Sequence, residues 1–292
     1  MQKGRSGHPA PASFICMENP MNIVTTTSVF PPEYPAASIL NRLAALGFTH
    51  LDMAFDYCTH PDSPFMGEGW REWAESLRRK ANAMGVRYTH SHACGGASNR
   101  GLAMLRCFEV CEILGIRYMV VHPDCSANGK ELADPHDFIR HNAEAYRGLI
   151  PYAEKHNVII LSENILWNAS VYPTVIADLV KAVDSPFFGW CCDTGHIHCS
   201  GVPMTDLRKV SVPPLSLHVQ DNDGRGDQHS LPGDGTIDWK EFLDILHEIG
   251  YKGELVLEAH HQSLDASDDE RDAILSELLR RAVAMRAYLE RL

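Results

Sequence analysis

The sequence has no long hydrophobic run. Of its 292 residues 45% are hydrophobic, yet no stretch approaches the roughly 18 consecutive apolar residues that a membrane-spanning helix needs. Residues 1–20, MQKGRSGHPAPASFICMENP, lack the continuous apolar segment of a secretory signal. These two absences predict a cytoplasmic protein with no membrane partner.

The sequence also lacks a cysteine pattern and an excess of positive charge. Its nine cysteines are an odd number, and no two of them are spaced as CxxC, so we expect small buried side chains in a reducing compartment rather than disulfides. The formal net charge is −12. A surface built to neutralise phosphates would be basic, and the composition therefore disfavours nucleic acid as a partner.

Short apolar, β-rich runs do recur along the chain, and each precedes a longer amphipathic stretch. The predicted strands cover residues 22–29, 49–55, 86–92, 117–122, 158–164, 187–193, 214–221 and 254–260. The predicted helices cover residues 36–46, 69–84, 99–114, 136–156, 172–183, 239–249 and 269–290. The helical pattern is weak only after the sixth strand, around residues 203–210. Four segments (ALGFTH, AMGVRY, ILGIRY and EIGYKGE) each predict a helix that ends at glycine before a strand.

These alternating units predict the α/β class and one closed (β/α)8 TIM barrel. No glycine-rich phosphate-binding turn follows the first strand, which argues against an open doubly wound sheet. No low-complexity linker divides the chain. We therefore predict a single barrel domain over residues 21–292 and an N-terminal extension over residues 1–20.

Side chains that can bind a metal stand at the carboxyl ends of the predicted strands, where the catalytic groups of such barrels converge. They are His90, His92, His122, Glu163, Asp193 with His196, His218 and Glu258. Two of the carboxylates follow apolar runs, IILSE and LVLE, and burying them without a cation or a proton would be costly. We therefore predict a metal site of Glu163, Asp193, His218 and Glu258. Its oxygen-rich ligands favour Mn²⁺, Mg²⁺ or Co²⁺, and Zn²⁺ also fits.

Other candidates in these segments have simpler explanations. A capping, hydrogen-bonding or solvated role at the rim is favoured for His60, His90 and His260. Because side chains alternate along a strand, Cys191 shares the side of Asp193 and Cys192 faces away, and both are predicted to be packing groups. His198 and Cys199 are predicted to lie in a loop beyond the rim.

The segment 217–239, LHVQDNDGRGDQHSLPGDGTIDW, predicts a polar loop that can close over an anionic or polyhydroxy ligand. After His218 it offers Asp221, Asp223, Arg225, Asp227 and His229. A turn, PGDG, then leads into a helix that Asp238 is placed to cap.

Taken together, these motifs resemble the xylose isomerase-like barrels, which include sugar-phosphate isomerases and epimerases, tagatose 3-epimerase-like enzymes and endonuclease IV. The matching segments are HPD at 122–124, EN at 163–164, DTGH at 193–196, the loop at 218–239 and LE at 257–258. The resemblance covers about residues 21–290. It implies a small-molecule sugar or sugar phosphate as the substrate and leaves a homo-oligomer open.

In the epimerase-like members, the residues that match Glu163, Asp193, His218 and Glu258 hold one divalent metal ion. The resemblance implies that Glu163 and Glu258 are the catalytic base and acid on opposite faces of the sugar, while the metal stabilises an enediolate. His196 resembles a histidine that binds substrate oxygen, and Arg225 lies near a substrate-binding arginine of those enzymes. The substrate-binding set is then His92, His122, His196, Arg225, Asp227 and His229. The extra glutamate of ketose 3-epimerases has no counterpart in NILWNAS.

The endonuclease IV members imply an alternative, a multinuclear zinc phosphodiesterase. They hold three zinc ions with nine ligands, and the matching residues here are His92, His122, Glu163, Asp193, His196, His218, Asp227, His229 and Glu258. Against this alternative, THSHACGG departs from the endonuclease pattern, and the loop from His218 to Asp227 is shorter. A sugar-binding barrel without catalysis is a third reading. We rank the isomerase or epimerase first.

Overall fold

Eight parallel strands form the centre of the computed structural model, which describes residues 21–60 and 62–292. The extension predicted for residues 1–20 lies outside the described residues. The strands, numbered in chain order, are β1 (Ile23–Thr26), β2 (His50–Ala54), β3 (Arg87–Gly96), β4 (Tyr118–His122), β5 (Ile159–Glu163), β6 (Phe188–Asp193), β7 (Ser216–His218) and β8 (Leu255–Leu257). All eight predicted strands are present, and the first, seventh and eighth are shorter than predicted.

Neighbouring strands pair in the order β8, β1, β2, β3, β4, β5, β6 and β7. The register of β1 against β8 places Ile23 opposite Leu255. Beyond β7, Val219 forms a parallel bridge with Leu257, in which the Val219 amide donates to the Val256 carbonyl at 2.8 Å and the Glu258 amide donates to the Val219 carbonyl at 3.1 Å. These contacts join the two ends of the sheet and confirm the predicted TIM barrel.

Helices pack around the barrel and bury a continuous apolar layer against the strands. They are α1 (Ala36–Ala45), α2 (Trp70–Ala83), α3 (Leu102–Leu114), α4 (Pro135–Arg147), α5 (Ile150–His156), α6 (Pro173–Val183), α7 (Thr194–Cys199), α8 (Trp239–Glu248), α9 (His261–Leu264) and α10 (Asp268–Leu289). The helix predicted over 136–156 is two helices, because α4 ends at Gly148 and Pro151 stands in the first turn of α5.

The region after β6 differs from its prediction. His198 and Cys199 do not lie in a loop; they form the last turn of α7. This helix begins at Asp193, whose side chain accepts a hydrogen bond from the His196 amide at 2.6 Å and so caps the first turn. The weak pattern at 203–210 corresponds to a 3₁₀ helix, Met204–Lys209.

The predicted glycine stops are confirmed, because each of the four residues has a left-handed backbone that favours glycine. They are Gly47, Gly85, Gly115 and Gly250, with φ between 70° and 98°. A short hairpin that was not predicted follows β4 and pairs Ser126–Ala127 with Lys130–Glu131. Its turn is Asn128-Gly129, with φ of 52° and 74°, which is a recognised hairpin signal that the sequence did contain.

The two adjacent cysteines of β6 face opposite layers, as predicted. Cys191 packs with Val120 and Leu161 in the barrel interior, whereas Cys192 lies in the layer between strands and helices. Burial raises the pKa of the Cys191 thiol to about 12. Within the described residues, no helix combines the length and the apolar character needed to cross a membrane.

Candidate metal centre

Four side chains meet at the carboxyl-terminal end of the barrel. Glu163, Asp193 and His218 are the last residues of β5, β6 and β7, and Glu258 directly follows β8. Because all eight strands run in one direction, their carboxyl ends share one rim, and alternation points these side chains inward. A ligand atom from each of the four residues lies within 4.8 Å of the others.

His218 joins the two glutamates of this group. Its Nδ1 atom lies 2.8 Å from Glu163 Oε1 and 3.2 Å from Glu258 Oε2. Asp193 completes the group from the side of β6 and is fully buried. Its Oδ1 atom accepts from the His196 amide at 2.6 Å, while its Oδ2 atom is buried with no hydrogen-bond partner among the described residues.

The protonation preferences of these carboxyl groups differ. Burial acts to raise the pKa of Glu163, but the charge of His218 and hydrogen bonds with His122 and His218 lower it well below its usual range. The same balance of burial against the charge of His218 lowers the pKa of Glu258. For Asp193, burial prevails over the attraction of His196 and raises the pKa to about 7.

These residues fit a divalent cation. Three carboxylates and one imidazole give several oxygen donors and one nitrogen donor, a set suited to metals of the Mn²⁺ or Zn²⁺ kind. Three acidic groups in one buried volume repel each other unless a cation or protons compensate them. The unpartnered Asp193 Oδ2 atom adds a buried acceptor that a cation would satisfy.

A second group of potential ligands adjoins the first and shares Glu163 with it. His92 lies in β3, and its Nε2 atom lies 3.0 Å from Nε2 of His122. The His122 Nε2 atom is also 3.0 Å from Glu163 Oε2. Burial acts to lower the pKa of His92, but the hydrogen bond with Glu163 raises it to about 9.

A third group comprises His196 from α7 and Asp227 with His229 from the loop after β7. Asp227 Oδ2 lies 3.2 Å from His196 Nε2 and 3.0 Å from His229 Nε2. Burial opposes the charged forms, yet the partners prevail: the pKa of His196 rises to about 10, that of His229 to about 9, and that of Asp227 falls far below its usual range.

Two amide side chains that the sequence analysis did not assign hold these groups in place. Asn164 Nδ2 donates to the Asp193 main-chain carbonyl at 3.0 Å, its Oδ1 atom accepts from the Asp193 amide at 2.9 Å, and its main-chain carbonyl lies 2.9 Å from His196 Nδ1. Gln220 Nε2 donates to Asp193 Oδ1 at 3.3 Å and to Asp227 Oδ1 at 2.7 Å. Both stand within matched segments, EN and HVQD, where their position next to a ligand was the available signal.

Hydrogen bonds to Asp221 hold the loop over residues 221–237 in place. The Asp221 carboxylate accepts from the Gly233 amide at 2.7 Å and from Trp239 Nε1 at 2.8 Å. Asp238 caps α8 as predicted, accepting from the Glu241 amide at 3.0 Å. Arg225 is exposed, and its guanidinium makes no hydrogen bond or ion pair with the described residues.

The three histidines assigned to other roles lie outside the ligand groups. His90 stacks on Tyr118, with 5.1 Å between ring centroids. It also contacts Glu254, which directly precedes β8 at the amino-terminal end of that strand, away from the metal ligands. His60 is exposed. His260 precedes α9 at the N-cap position, and its ring stacks on His229 at 4.2 Å. His260 therefore borders the third group without belonging to it.

Comparison with known proteins agrees with this architecture. A family model described as a xylose isomerase-like TIM barrel matches residues 40–282. The chain is 27% identical over 152 residues to an inosose isomerase of Bacillus licheniformis, which covers 49% of this chain and 54% of that protein. The chain spans about half or less of the length of the curated relatives it matches.

Two solved structures have the same fold. A structure of the IolI protein with a bound zinc atom superimposes with a TM-score of 0.73 at 16% identity, covering 90% of this chain and 98% of that one. A D-psicose 3-epimerase structure solved with D-fructose gives a TM-score of 0.68 at 15% identity, covering 91% and 99%. At these identities the similarity establishes the shared fold.

Proposed function

Because the chain belongs to the xylose isomerase-like TIM barrel family, we propose that it is a divalent-metal-dependent isomerase or epimerase of a sugar, a sugar phosphate or a related hydroxy-carbonyl compound. The observation that carries the proposal is the pair Glu163 and Glu258, which reach the same imidazole nitrogen from β5 and β8. The similarity to an inosose isomerase and to a D-psicose 3-epimerase supports this class of reaction.

Glu163, Asp193, His218 and Glu258 would hold the metal ion. When bound, the ion supplies Lewis-acid chemistry, polarising the substrate carbonyl and favouring the enediolate form. The protein contributes the rest: it keeps Glu163 and Glu258 ionised, and it places all three carboxyl groups at one rim of the barrel. The Mn²⁺, Mg²⁺ or Co²⁺ preference expected from the oxygen-rich ligands belongs to the proposal, as does Zn²⁺.

Glu163 and Glu258 transfer the proton in this proposal. The two carboxylates come from strands on different sides of the barrel mouth, and in this proposal they approach the reacting carbon from opposite faces once the substrate has moved them apart. One glutamate removes the proton beside the carbonyl, and the other returns a proton. The low pKa of each glutamate keeps it ionised and able to accept a proton, so the glutamate that returns a proton must first take one up from solvent. The acidity of the carbon rises only when the carbonyl is polarised.

The remaining polar side chains bind substrate oxygens. Asp227 and the other nearby carboxylates raise the pKa values of His196 and His229, and both imidazoles can donate to hydroxyl or carbonyl groups. His92 and His122 offer the same on the side of β3 and β4. Arg225 takes part only if its loop rearranges around the substrate.

Solvent isotope exchange tests the proposal. Turnover of ketoses, inososes and their phosphates in heavy water is expected to introduce deuterium at the carbon beside the carbonyl. Glu163→Gln is expected to abolish that exchange, whereas the surface change Glu109→Gln serves as a matched control. Turnover with direct hydrogen transfer between carbons and no solvent exchange would contradict proton transfer.

A multinuclear zinc phosphodiesterase is the second candidate, and one observation favours it. All nine residues of the endonuclease IV pattern fall into three ligand groups that meet at one rim, with Glu163 common to two of them. Metal analysis after purification separates the candidates: one ion per chain supports the isomerase, and three zinc ions with cleavage of abasic-site DNA support the phosphodiesterase.

A further inference from the structure

A cavity of about 360 Å³ lies beside the metal centre, between the β1–α1 and β2–α2 connections. Its volume is within the range of small-molecule pockets in proteins. The side chains that shape it are mainly aromatic or apolar, and they include Phe30, Tyr34, Met53, Ala54, Tyr57 and Trp73. None of the three ligand groups lines it, so this cavity is separate from the metal ligands.

One wall of the cavity is a fixed pair of rings. Phe30 and Tyr34 have centroids 5.4 Å apart, and the buried guanidinium of Arg271 packs behind both, 5.3 Å and 5.2 Å from their centroids. The Tyr34 hydroxyl donates to Asp268 Oδ1 at 2.5 Å. These contacts hold the rings in place before any ligand arrives, which reduces the ordering that binding requires.

The opposite wall is Trp73 of α2. Its indole packs edge-on against Phe65, with 6.3 Å between ring centroids, and Phe65 in turn stacks on Phe55 at 5.4 Å. Phe55 and Phe65 are fully buried, so Trp73 is anchored against the core. Aromatic side chains from the β1–α1 connection and from α2 thus line this cavity, which we call the slot.

The slot opens next to the proposed reaction site. Ala54, in its floor, pairs in the sheet with His92, one strand spacing of about 4.8 Å away. The pairing of Thr25 with Leu257 places Thr27, another lining residue, beside the strand end that carries Glu258. A molecule with one end at the metal ligands can therefore extend its other end into the slot.

The charge of the slot restricts its ligand. Glu33 and Asp62 line it and are exposed. His60 is the basic side chain among its described lining residues, which include no Lys or Arg. A phosphate or carboxylate would therefore meet two acidic groups with no permanently charged cation to compensate them, at an electrostatic cost. Aromatic faces instead favour a flat, uncharged ring, by stacking or by contact with apolar edges.

We propose that this slot binds an uncharged ring joined to the reacting sugar, so that the preferred substrate is a glycoside-type compound rather than a free monosaccharide or a sugar phosphate. The inference about the reacting end rests on the proposed isomerase function. The inference about the slot rests only on its walls, its charge and its position.

Binding of two small probes tests the slot without any turnover. Benzyl alcohol is an uncharged ring and benzoate is its anionic analogue. Saturation-transfer NMR and titration with the full chain are expected to show saturable binding of benzyl alcohol, and about tenfold weaker binding of benzoate, equivalent to about 1.4 kcal/mol. Equal binding of the two probes, or no saturable binding of benzyl alcohol, would overturn the proposal.

Two variants locate the binding. Trp73→Ala removes one wall and is expected to weaken benzyl alcohol binding about fivefold, in keeping with the usual contribution of an aromatic contact. Ala37→Leu, at an exposed position of α1 that also lines the cavity, fills part of the slot and should weaken binding without disturbing the fold. Trp167→Ala is the control, because Trp167 is 59% exposed and lies outside the slot. If both slot variants bind like the control, the site is elsewhere.

Kinetics then separate this inference from the proposed function. A panel of keto-sugars is offered as free sugars, 6-phosphates and aryl glycosides. Higher kcat/KM for aryl glycosides, reduced selectively by Trp73→Ala, supports both proposals. Turnover that favours free sugars or phosphates keeps the isomerase and rejects the slot. Probe binding in the slot with no turnover of any keto-sugar keeps the slot and rejects the isomerase.

Discussion

The two ends of β8 carry the same residue type in opposite circumstances. At the amino-terminal end, Glu254 accepts from Asn22 and from Thr89 at 2.9 Å, and it lies 3.2 Å from His90. Four residues along the chain, Glu258 faces an imidazole that another carboxylate already contacts. The first glutamate is satisfied by neighbouring donors of the protein. The second stands among competing acids.

This difference separates a structural carboxylate from a functional one. Three donors from two parts of the chain, Asn22 and the pair Thr89 and His90, stabilise the ionised form of Glu254, so no further ligand is needed. Around Glu258, three acidic groups lie close together with few hydrogen-bond donors between them. One oxygen of Asp193 is buried without a partner among the described residues. Such an arrangement is stable when something else, a cation or a proton, completes it.

Removing the negative charge at each end of β8 should give the largest difference in turnover. Glu258→Gln is expected to lower kcat by roughly 10²–10⁴-fold, the usual loss of a general acid or base. Glu254→Gln, the matched variant at the other end, should keep kcat within about threefold and instead lose about 1–3 kcal/mol of stability. Steady-state kinetics and urea unfolding measure the two effects. Equal loss of turnover in both variants would remove the distinction between the ends.

Metal binding should stabilise the protein only when the carboxyl-terminal end of the barrel is intact, so metal removal also distinguishes the two ends. At a metal concentration of 100 Kd, binding to the folded state alone is expected to add about 2.7 kcal/mol to the free energy of unfolding. The wild type and Glu254→Gln should both show this gain after a chelated sample is reloaded, and Asp193→Asn should not. The barrel itself should stay cooperatively folded without metal, since most of its core lies elsewhere. Loss of cooperative unfolding in chelator would show that the metal is structural.

A smaller loss of activity is expected when Asp227, which lies beside the proposed metal ligands, is changed. Asp227→Asn should lower kcat/KM about 10–100-fold, the usual cost of disturbing groups that orient a metal site, while elemental analysis still finds one ion per chain. Asp223→Asn, in the exposed part of the same loop, is the control. Release of the ion by Asp227→Asn would assign Asp227 to a metal ligand set and strengthen the phosphodiesterase alternative.

The smallest expected effect is the loss of stabilisation by Glu254 at low pH. Burial opposes the charged form of Glu254, but the contacts with His90, Asn22 and Thr89 lower its pKa to about 2. A group whose pKa is depressed by folding contributes stability above its ordinary pKa and loses it as the pH falls toward the folded value. The stability difference between wild type and Glu254→Gln should therefore be on the order of 1–3 kcal/mol near pH 7 and shrink toward pH 3. Urea unfolding at several pH values measures it, and a constant difference would contradict the assigned cause.

Much of the fold could be predicted because its signals are local. Apolar runs, glycine stops such as Gly115 and the cap at Asp238 depend on a few neighbouring residues, and each was placed from the sequence. The strand ends then brought Glu163, Asp193, His218 and Glu258 to one rim. The division of the histidines into two further groups depends on contacts between side chains of different strands and loops, such as His92 of β3 with His122 of β4, and no local pattern encodes it.

Other features were missed for a related reason. The side chains of Asn164 and Gln220 have no ionisable or nucleophilic group, so there was no chemical reason to single these residues out, yet each residue contacts two parts of the centre. His198 and Cys199 were placed in a loop because α7 is only six residues long, too short for its periodicity to be recognised. The aromatic slot is formed by two connections and two helices, and only the fold brings these together.

The pairing of β1 with β8 also bears on how the protein acquires its activity. Ile23 lies opposite Leu255, so the contact that closes the barrel joins parts of the chain that are far apart in sequence, and such contacts form slowly. Glu258 directly follows the strand that makes this closure. During folding, the nascent chain can gather the ligands of β5, β6 and β7 early, but the complete centre appears only when the last strand docks. Metal uptake should consequently report the final step of folding, and a refolding experiment followed by metal-dependent signal should lag behind one followed by helix content.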